Sequence, residues 1–325
     1  MPPFDTTIEM VFIPSGVFYF MACAVSFFGL FRKRTAASTE TPFVSVIVAA
    51  RNEERSLGST IGDLIAQDYP ADRSEFIVVD DSSDDDTAKV IHHYVSRDVR
   101  VRYATTFGSI SPFTHKKRAV HEGLMAAHGE IIMTVDADCR IPAGWIRGLV
   151  KHFAGDVDFV AGEVCIRKGG ILADMETLEF LGIQSVSAGL AGIGFPITCN
   201  GANLAYRRSA FDAAGGFDGI GHLVSGDDDL VMQKIARKNP KGIVYALDTD
   251  LAVEVAPVGS MGEFIAKRAR WVSKIGGYPS KTAFLFLSLI FLFLASIPVY
   301  TVCAITGVLC WTPLAIGVVL KISGD

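Results

Sequence analysis

Residues 131–140 read IIMTVDADCR. Ile131, Ile132, Met133 and Val135 make a short apolar run that suits a buried strand, and the run ends in two carboxylates, Asp136 and Asp138. Alternate residues of an extended chain point to the same side, so both acids can face one spot beyond the strand end. That is where open α/β sheets bind ligands. Two acids so placed repel each other unless something positive sits between them, and a hard divalent ion carrying a phosphate meets that need. Acids after a strand are also ordinary turn formers. The surrounding sequence has to decide between the two.

Working outward, Phe43–Ala50 (FVSVIVAA) is a β-branched run suited to a buried parallel strand, followed by Arg51-Asn52-Glu53-Glu54. Leu57, Ile61, Leu64 and Ile65 recur at helical spacing, and Pro70 stops that helix. Phe76–Val79 is a second strand running into Asp80, Asp81 and a polar turn, where Asp86 or Thr87 caps a helix carrying Val90, Ile91, Tyr94 and Val95. Val99–Tyr103 reads as a third strand, and Lys116–His128 as a helix leading into the Asp136 strand. Strands alternating with such helices predict a mainly parallel sheet with helices on both faces. Three strand ends then carry polar chemistry side by side: Arg51–Glu54, Asp80–Asp81 and Asp136–Asp138. Neither a G-x-G-x-x-G after the first strand nor a G-x-x-x-x-G-K-S/T occurs, which disfavours dinucleotide enzymes and P-loop NTPases.

The chain's 325 residues are 50% hydrophobic, too apolar for an ordinary soluble protein, and the excess lies at the ends. Residues 8–31 hold one acid, Glu9, and are closed by Arg32, Lys33 and Arg34; no charged residue occurs from Thr282 to Leu320. A membrane-crossing helix needs about 20 apolar residues. The first stretch predicts one span, and 282–320 two, as a hairpin turning between Pro298 and Pro313. Basic residues after the apolar run, rather than before it, argue against a cleaved signal peptide. They predict an outer N-terminus and a cytoplasmic globular region over 41–279, with Lys281 and Lys321 in agreement. A natural end beyond residue 325 is compatible with this pattern. Six scattered cysteines without a C-x-x-C pair suit a reducing compartment rather than a disulfide framework or zinc site. The net charge of −5, without a basic stripe, speaks against a nucleic-acid partner.

Eight pieces in order, VSVIVAARNEE, VVDDSSDDDT, Lys116 ahead of Ala119-Val120, TVDADC, GANLAYRR, GGFD, SGDDDL and KRARW, closely resemble the family 2 glycosyltransferases of the GT-A fold. The resemblance spans about 41–271 and implies transfer of a sugar from a nucleotide diphosphate sugar. It implies that Ala50, Arg51 and Glu53 line a uridine pocket, that Asp80 or Asp81 binds base or ribose, and that Asp136 and Asp138 hold a metal–diphosphate with Mg²⁺ or Mn²⁺. Lys116 can offset phosphate charge that the metal leaves uncovered. On spacing alone, the cluster 115–118 is equally a solvated helix start, and the resemblance favours the phosphate role; Lys117 is the poorer phosphate ligand.

Gly201, Ala202 and Asn203 form a small-residue loop where a sugar can approach the backbone, although a tight turn explains Gly201 as well. Gly215-Gly216-Phe217 reads as a helix stop with a packed aromatic. Asp227, Asp228 and Asp229 open a helix, where acids complement the dipole. The resemblance assigns Asp228 as the catalytic base and sets Asp227 in the acceptor pocket. Arg270 and Trp271 match the Q-x-x-R-W of polymer-making relatives, with Lys267 in place of Gln, which favours single-sugar transfer over the alternative of a processive polysaccharide synthase. Helix 261–276 is expected at the membrane interface, with Arg268 as an anchor. The expected acceptor is a lipid or lipid-linked glycan, with membrane lipids as neighbours.

Overall fold

A computed structural model of the chain describes residues 4–32, 37–273, 277, 278, 280–307, 309 and 311–324. The basic residues 33 and 34, most of the expected turn of the interfacial helix after Ser273, and Pro279 lie outside the described residues. The fold is α/β, with a mainly parallel central sheet.

Helix α1 (Phe4–Leu30) precedes strand β1 (Val44–Ala50), α2 (Leu57–Ile65), β2 (Ser74–Asp80), α3 (Thr87–Val95), β3 (Val101–Thr105), α4 (His115–Ala126) and β4 (Ile131–Asp136). These strands pair in parallel in the order β3-β2-β1-β4. Ala50 lies opposite Asp80, and Ala49 opposite Asp136, so the three polar strand ends stand level at one edge. The Asp81 amide donates to the Ala50 carbonyl at 2.8 Å, extending the ladder past the last paired residues.

Three details differ from the sequence expectation. Val99 is 95% exposed in the turn before β3, because the strand's pairing with Phe76 begins only at Val101. Asp86 precedes α3 without a side-chain cap; Asp85 accepts from the Thr87 amide at 3.0 Å instead. Asp138 lies in a turn after β4, so a turn, and not strand alternation, brings it beside Asp136.

The second half adds α5 (Trp145–Val150), β5 (Phe159–Gly162), β6 (Val164–Ile166), α6 (Ile171–Gly192), β7 (Leu204–Arg207), α7 (Arg208–Ala213), α8 (Asp229–Ala236), β8 (Ile243–Ala246), β9 (Val253–Val255) and α9 (Met261–Ser273). Strand β7 runs antiparallel between β4 and β5, and β8 pairs with β5 in parallel, completing seven strands. A separate parallel pair, β6 with β9, carries the chain over the sheet's edge toward α9. The expected helix stop is seen at Gly215 and Gly216, both at positive φ, with Phe217 buried behind them. One core cluster packs α2, α3 and α5 on one face of the sheet, and another packs α4 and α8 on the opposite face.

Helices α10 (Lys281–Ile305) and α11 (Trp311–Gly324) follow. The segment Phe12–Leu30 of α1 and the whole of α10 are long and apolar enough to cross a bilayer. At 14 residues α11 is shorter than the roughly 20 a crossing needs, so the expected C-terminal hairpin has one long arm and one short arm. Phe12, Phe293, Tyr300 and Leu314 bring the three together in their own apolar cluster.

Helix α6 crosses α1 with glycines set against backbone. The Ser26 hydroxyl donates to the Val186 carbonyl at 2.8 Å, and Gly29 faces Gly189 and Gly192. A Cβ on Gly189 would fall 2.0 Å from the Ser26 carbonyl oxygen. Gly189→Ala is therefore expected to destabilise the chain by about 1–3 kcal/mol, as forced overpacking does. A lower midpoint of thermal unfolding in detergent would register it; an unchanged midpoint would mean the crossing is looser than described.

Candidate active site

The level strand ends open into a cavity of about 630 Å³. Its walls include Ala50, Arg51, Glu53, Asp81, Lys116, Asp136, Asp138, Gly201, Ala202, Asp227, Asp228, Arg270 and Trp271, most of the residues singled out in the sequence. Each arrives from the end of an element, not its middle, because an edge of strand ends is where backbone groups are unpaired and side chains can converge.

Lys116 lies at the centre of the charge. Its ammonium is 2.5 Å from Asp136 and 3.2 Å from Asp227, joining the β4 end to the loop before α8. Burial alone would lower its pKa, but Asp136, Asp227 and Asp228 outweigh burial and raise it, so it stays a cation. Next to it in sequence, Lys117 is 1% exposed and donates to the Leu223 and Ser225 carbonyls at 2.8 and 2.6 Å. It therefore holds the loop that delivers Asp227 and Asp228, a role its sequence position did not disclose. Arg118 donates to Asp81 at 2.7 Å, and Thr106 to the same oxygen at 2.8 Å.

Asp228 caps α8. One carboxylate oxygen accepts from the Asp229 amide at 2.7 Å, the other from the Gly201 amide at 3.1 Å. Those bonds fix it in the cavity wall. Gly226 has φ near +92°, and a Cβ there would meet Leu230 at 2.4 Å, so glycine is required to turn the loop into the helix. A Cβ on Gly201 would lie 3.3 Å from Asp228 and 3.5 Å from the Lys116 nitrogen, so glycine leaves the space between carboxylate and ammonium open.

Asp136 and Asp138 supply carboxylate oxygens at the rim. Burial, followed by repulsion from Asp136, raises the Asp138 pKa. Burial likewise raises Glu53, with Asp138 and Asp136 adding to it against a hydrogen bond from Ser56. These acids are short of positive charge. Among the described residues no group of three or more His, Cys, Asp or Glu is gathered to hold an ion on protein ligands alone. Two carboxylates nonetheless fit a hard divalent ion whose other ligands come from a diphosphate and water, the usual arrangement for Mg²⁺.

Two expected site residues lie elsewhere. Asn203 is fully buried; its side chain accepts from the Trp145 indole at 2.8 Å and donates to the Glu163 carbonyl at 2.7 Å. It braces the sheet beneath the loop, because a buried amide must find partners on every side. Asp80 is buried and accepts from the Ser83 amide at 3.0 Å, shaping the turn and leaving the cavity wall to Asp81.

The far wall comes from elements with no signal in the sequence reading. Phe180 of α6 and Val255 of β9 line the cavity, and Trp271 packs on Phe180 with ring centroids 5.8 Å apart. Glu176, fully buried on α6, accepts from the Val258 amide at 2.8 Å, from Lys267 at 3.1 Å and from Arg268 at 3.3 Å. Burial would raise its pKa, but these partners together lower it. Arg268 also pairs with Glu179 and lies over the Phe264 ring. Two acids on α6 thus engage it within the protein. Lys267, replacing the expected Gln, is held by Glu176 and stacks over Phe180 and Trp271.

Acids, an ammonium and a capped carboxylate thus meet in one cavity at the strand ends of an α/β sheet. Residues 45–215 match "Glycosyl transferase family 2" and residues 131–322 match "Glycosyl transferase family group 2", so the chain belongs to glycosyl transferase family 2. The beta-monoglucosyldiacylglycerol synthase of Synechocystis sp. is 30% identical over 258 residues, covering 75% of this chain and 49% of that protein. A poly-beta-1,6-N-acetyl-D-glucosamine synthase of Staphylococcus epidermidis is 27% identical over 54% of this chain and 42% of its own. The chain thus spans about half the length of the curated relatives it matches. The mannosyltransferase PcManGT from Pyrobaculum calidifontis, solved with GDP-Man and Mn²⁺, superposes with a TM-score of 0.62 over 98% of both chains at 19% identity, a likeness of fold.

Proposed function

We propose that the chain transfers a single sugar, with inversion, from a UDP-sugar to a lipid or lipid-linked glycan at the cytoplasmic face of a membrane, with the help of a divalent ion. The observation that carries this reading is the joining of Lys116 to both Asp136 and Asp227, one residue from the capped Asp228. Leaving-group charge and acceptor proton can then be handled within one cavity.

Arg51, Glu53 and Asp81 would hold the nucleoside, and Lys116 the diphosphate. Asp136 and Asp138 would hold the ion, Mg²⁺ or Mn²⁺, which when bound supplies further charge neutralisation at the diphosphate. The acceptor oxygen attacks the anomeric carbon as the bond to the diphosphate oxygen breaks, and the electron pair leaves with the nucleoside diphosphate. Asp228 takes the hydroxyl proton as the new bond forms. Displacement in one step inverts the anomeric carbon. Arg270 and Trp271 close the cavity, and Gly201 and Ala202 leave room for the sugar.

Membrane attachment is supported by α1 and α10, and a cytoplasmic catalytic region by Arg32 and the basic residues that follow the first apolar run. Transfer of one sugar rests on Lys267 at the position of the Gln in polymer-making enzymes.

The test is incubation of the purified full chain in lipid vesicles with a panel of UDP- and GDP-sugars. Released nucleotide and product mass are followed. Release of UDP with one sugar added per acceptor is expected, whatever the donor excess. A ladder of growing chains would overturn the single-transfer reading in favour of a polymer synthase, and no nucleotide release from any donor would sink the reaction.

A further inference from the structure

A second cavity, of about 260 Å³, adjoins the first and shares Asp228, Trp271, Phe180 and Asn200 with it. Its two ends differ in chemistry. The inner end is polar and acidic: Asp228 faces it, the Tyr278 hydroxyl donates to Asp229 at 2.9 Å, and the Tyr245 hydroxyl donates to the Thr198 carbonyl. The outer end is apolar and formed by Ile183 of α6, Val272 of α9 and Leu287 of α10. Ile183 and Val272 are 41% and 57% exposed. Elsewhere on these helices Leu178 and Leu181 of α6 and Ile265 of α9 are also exposed. Leu287 belongs to a helix apolar enough to cross a bilayer. The cavity therefore connects the proposed base with the face that lipid would cover.

We infer that this cavity is the acceptor site and that it takes the free hydroxyl of an uncharged acylglycerol, entering sideways from the bilayer between α6 and α10. The inference rests on the reading of Asp228 as the base.

Charge selects the headgroup. The Asp228 carboxylate at the inner end repels a phosphate monoester and favours a neutral hydroxyl, which can donate to it before transfer. Beyond that end the lining is largely apolar, which suits the ester groups and acyl chains of a glycerolipid. In the step itself the glycerol oxygen bonds to the anomeric carbon, the diphosphate leaves with the electron pair, and the proton passes to Asp228.

The test uses the full chain in phosphatidylcholine vesicles containing a diacylglycerol with a photoactivatable group near the glycerol. UDP binding with Mn²⁺ is measured separately. Labelling is expected on peptides carrying Ile183, Val272 or Leu287, with competition by plain diacylglycerol and little by a polyprenyl phosphate. Ile183→Trp, at an exposed rim position that tolerates bulk, should reduce labelling and raise the acceptor KM about tenfold, the scale of lost contacts in an apolar pocket. Leu178→Trp, on the same helix but outside the cavity, should leave both unchanged. Label elsewhere, equal loss in both variants, or stronger competition by the polyprenyl phosphate overturns the inference while UDP binding stands. Absence of UDP binding would instead strike at the proposed function itself.

Discussion

Asp228→Asn is expected to lower turnover by about 10²–10⁴-fold, the range for loss of a general base. The amide keeps the shape of the carboxylate and an oxygen for the Asp229 or Gly201 amide, so the α8 cap and the loop should survive. Donor affinity should barely move, because Asp228 contacts backbone amides and the acceptor side rather than the Asp136 end. Asp227→Asn should be milder. It weakens a pair with Lys116 that Asp136 also holds, at the shorter distance of 2.5 Å. Steady-state rates with isothermal titration of UDP separate the two effects. Near-normal turnover in Asp228→Asn, or greater damage from Asp227→Asn, would remove the base assignment.

Asp138→Ala is expected to abolish transfer and to raise the UDP dissociation constant by ~100-fold or more in Mn²⁺ or Mg²⁺, given that even outer partners of metal ligands cost 10–100-fold. In EDTA the variant and the parent should bind UDP alike, since the proposed contact runs through the ion. The comparison is a double one, variant against parent and ion against chelator. If the parent binds UDP equally well with and without EDTA, the Asp136–Asp138 pair has some other purpose.

Much of this arrangement was legible in the sequence because it depends on periodicity and on strand ends. The β-branched runs before Arg51, Asp80 and Asp136 specify buried parallel strands, and parallel strands bring their ends together wherever the connections are helical. Local pattern could not disclose what depends on distant partners. Asn203 looks like a loop amide until Trp145 and Glu163 close around it. Lys117 and Lys116 are indistinguishable as neighbours; only the helix's orientation sends one to the Leu223 and Ser225 carbonyls and the other to Asp136. Helix α6 has apolar residues around much of its circumference, so it lacks the one-sided stripe by which a surface helix is recognised. Its reason is structural: it has neighbours on several sides, α1 through the glycines, β8 and α9.

Considered mechanically, α6 is a strut. Near one end its glycines seat directly on the backbone of α1 at Ser26 and Gly29; toward the other, Glu176 and Phe180 grip Lys267, Arg268 and Trp271 of the helix that closes the cavity. Glycine against backbone has almost no slack, and a buried carboxylate bridged by two cations has little. On the proposed attachment through α1, the depth of that helix in a bilayer would be transmitted to the height of Trp271. A change of lipid chain length would then act on this chain as a mutation beside Trp271 would.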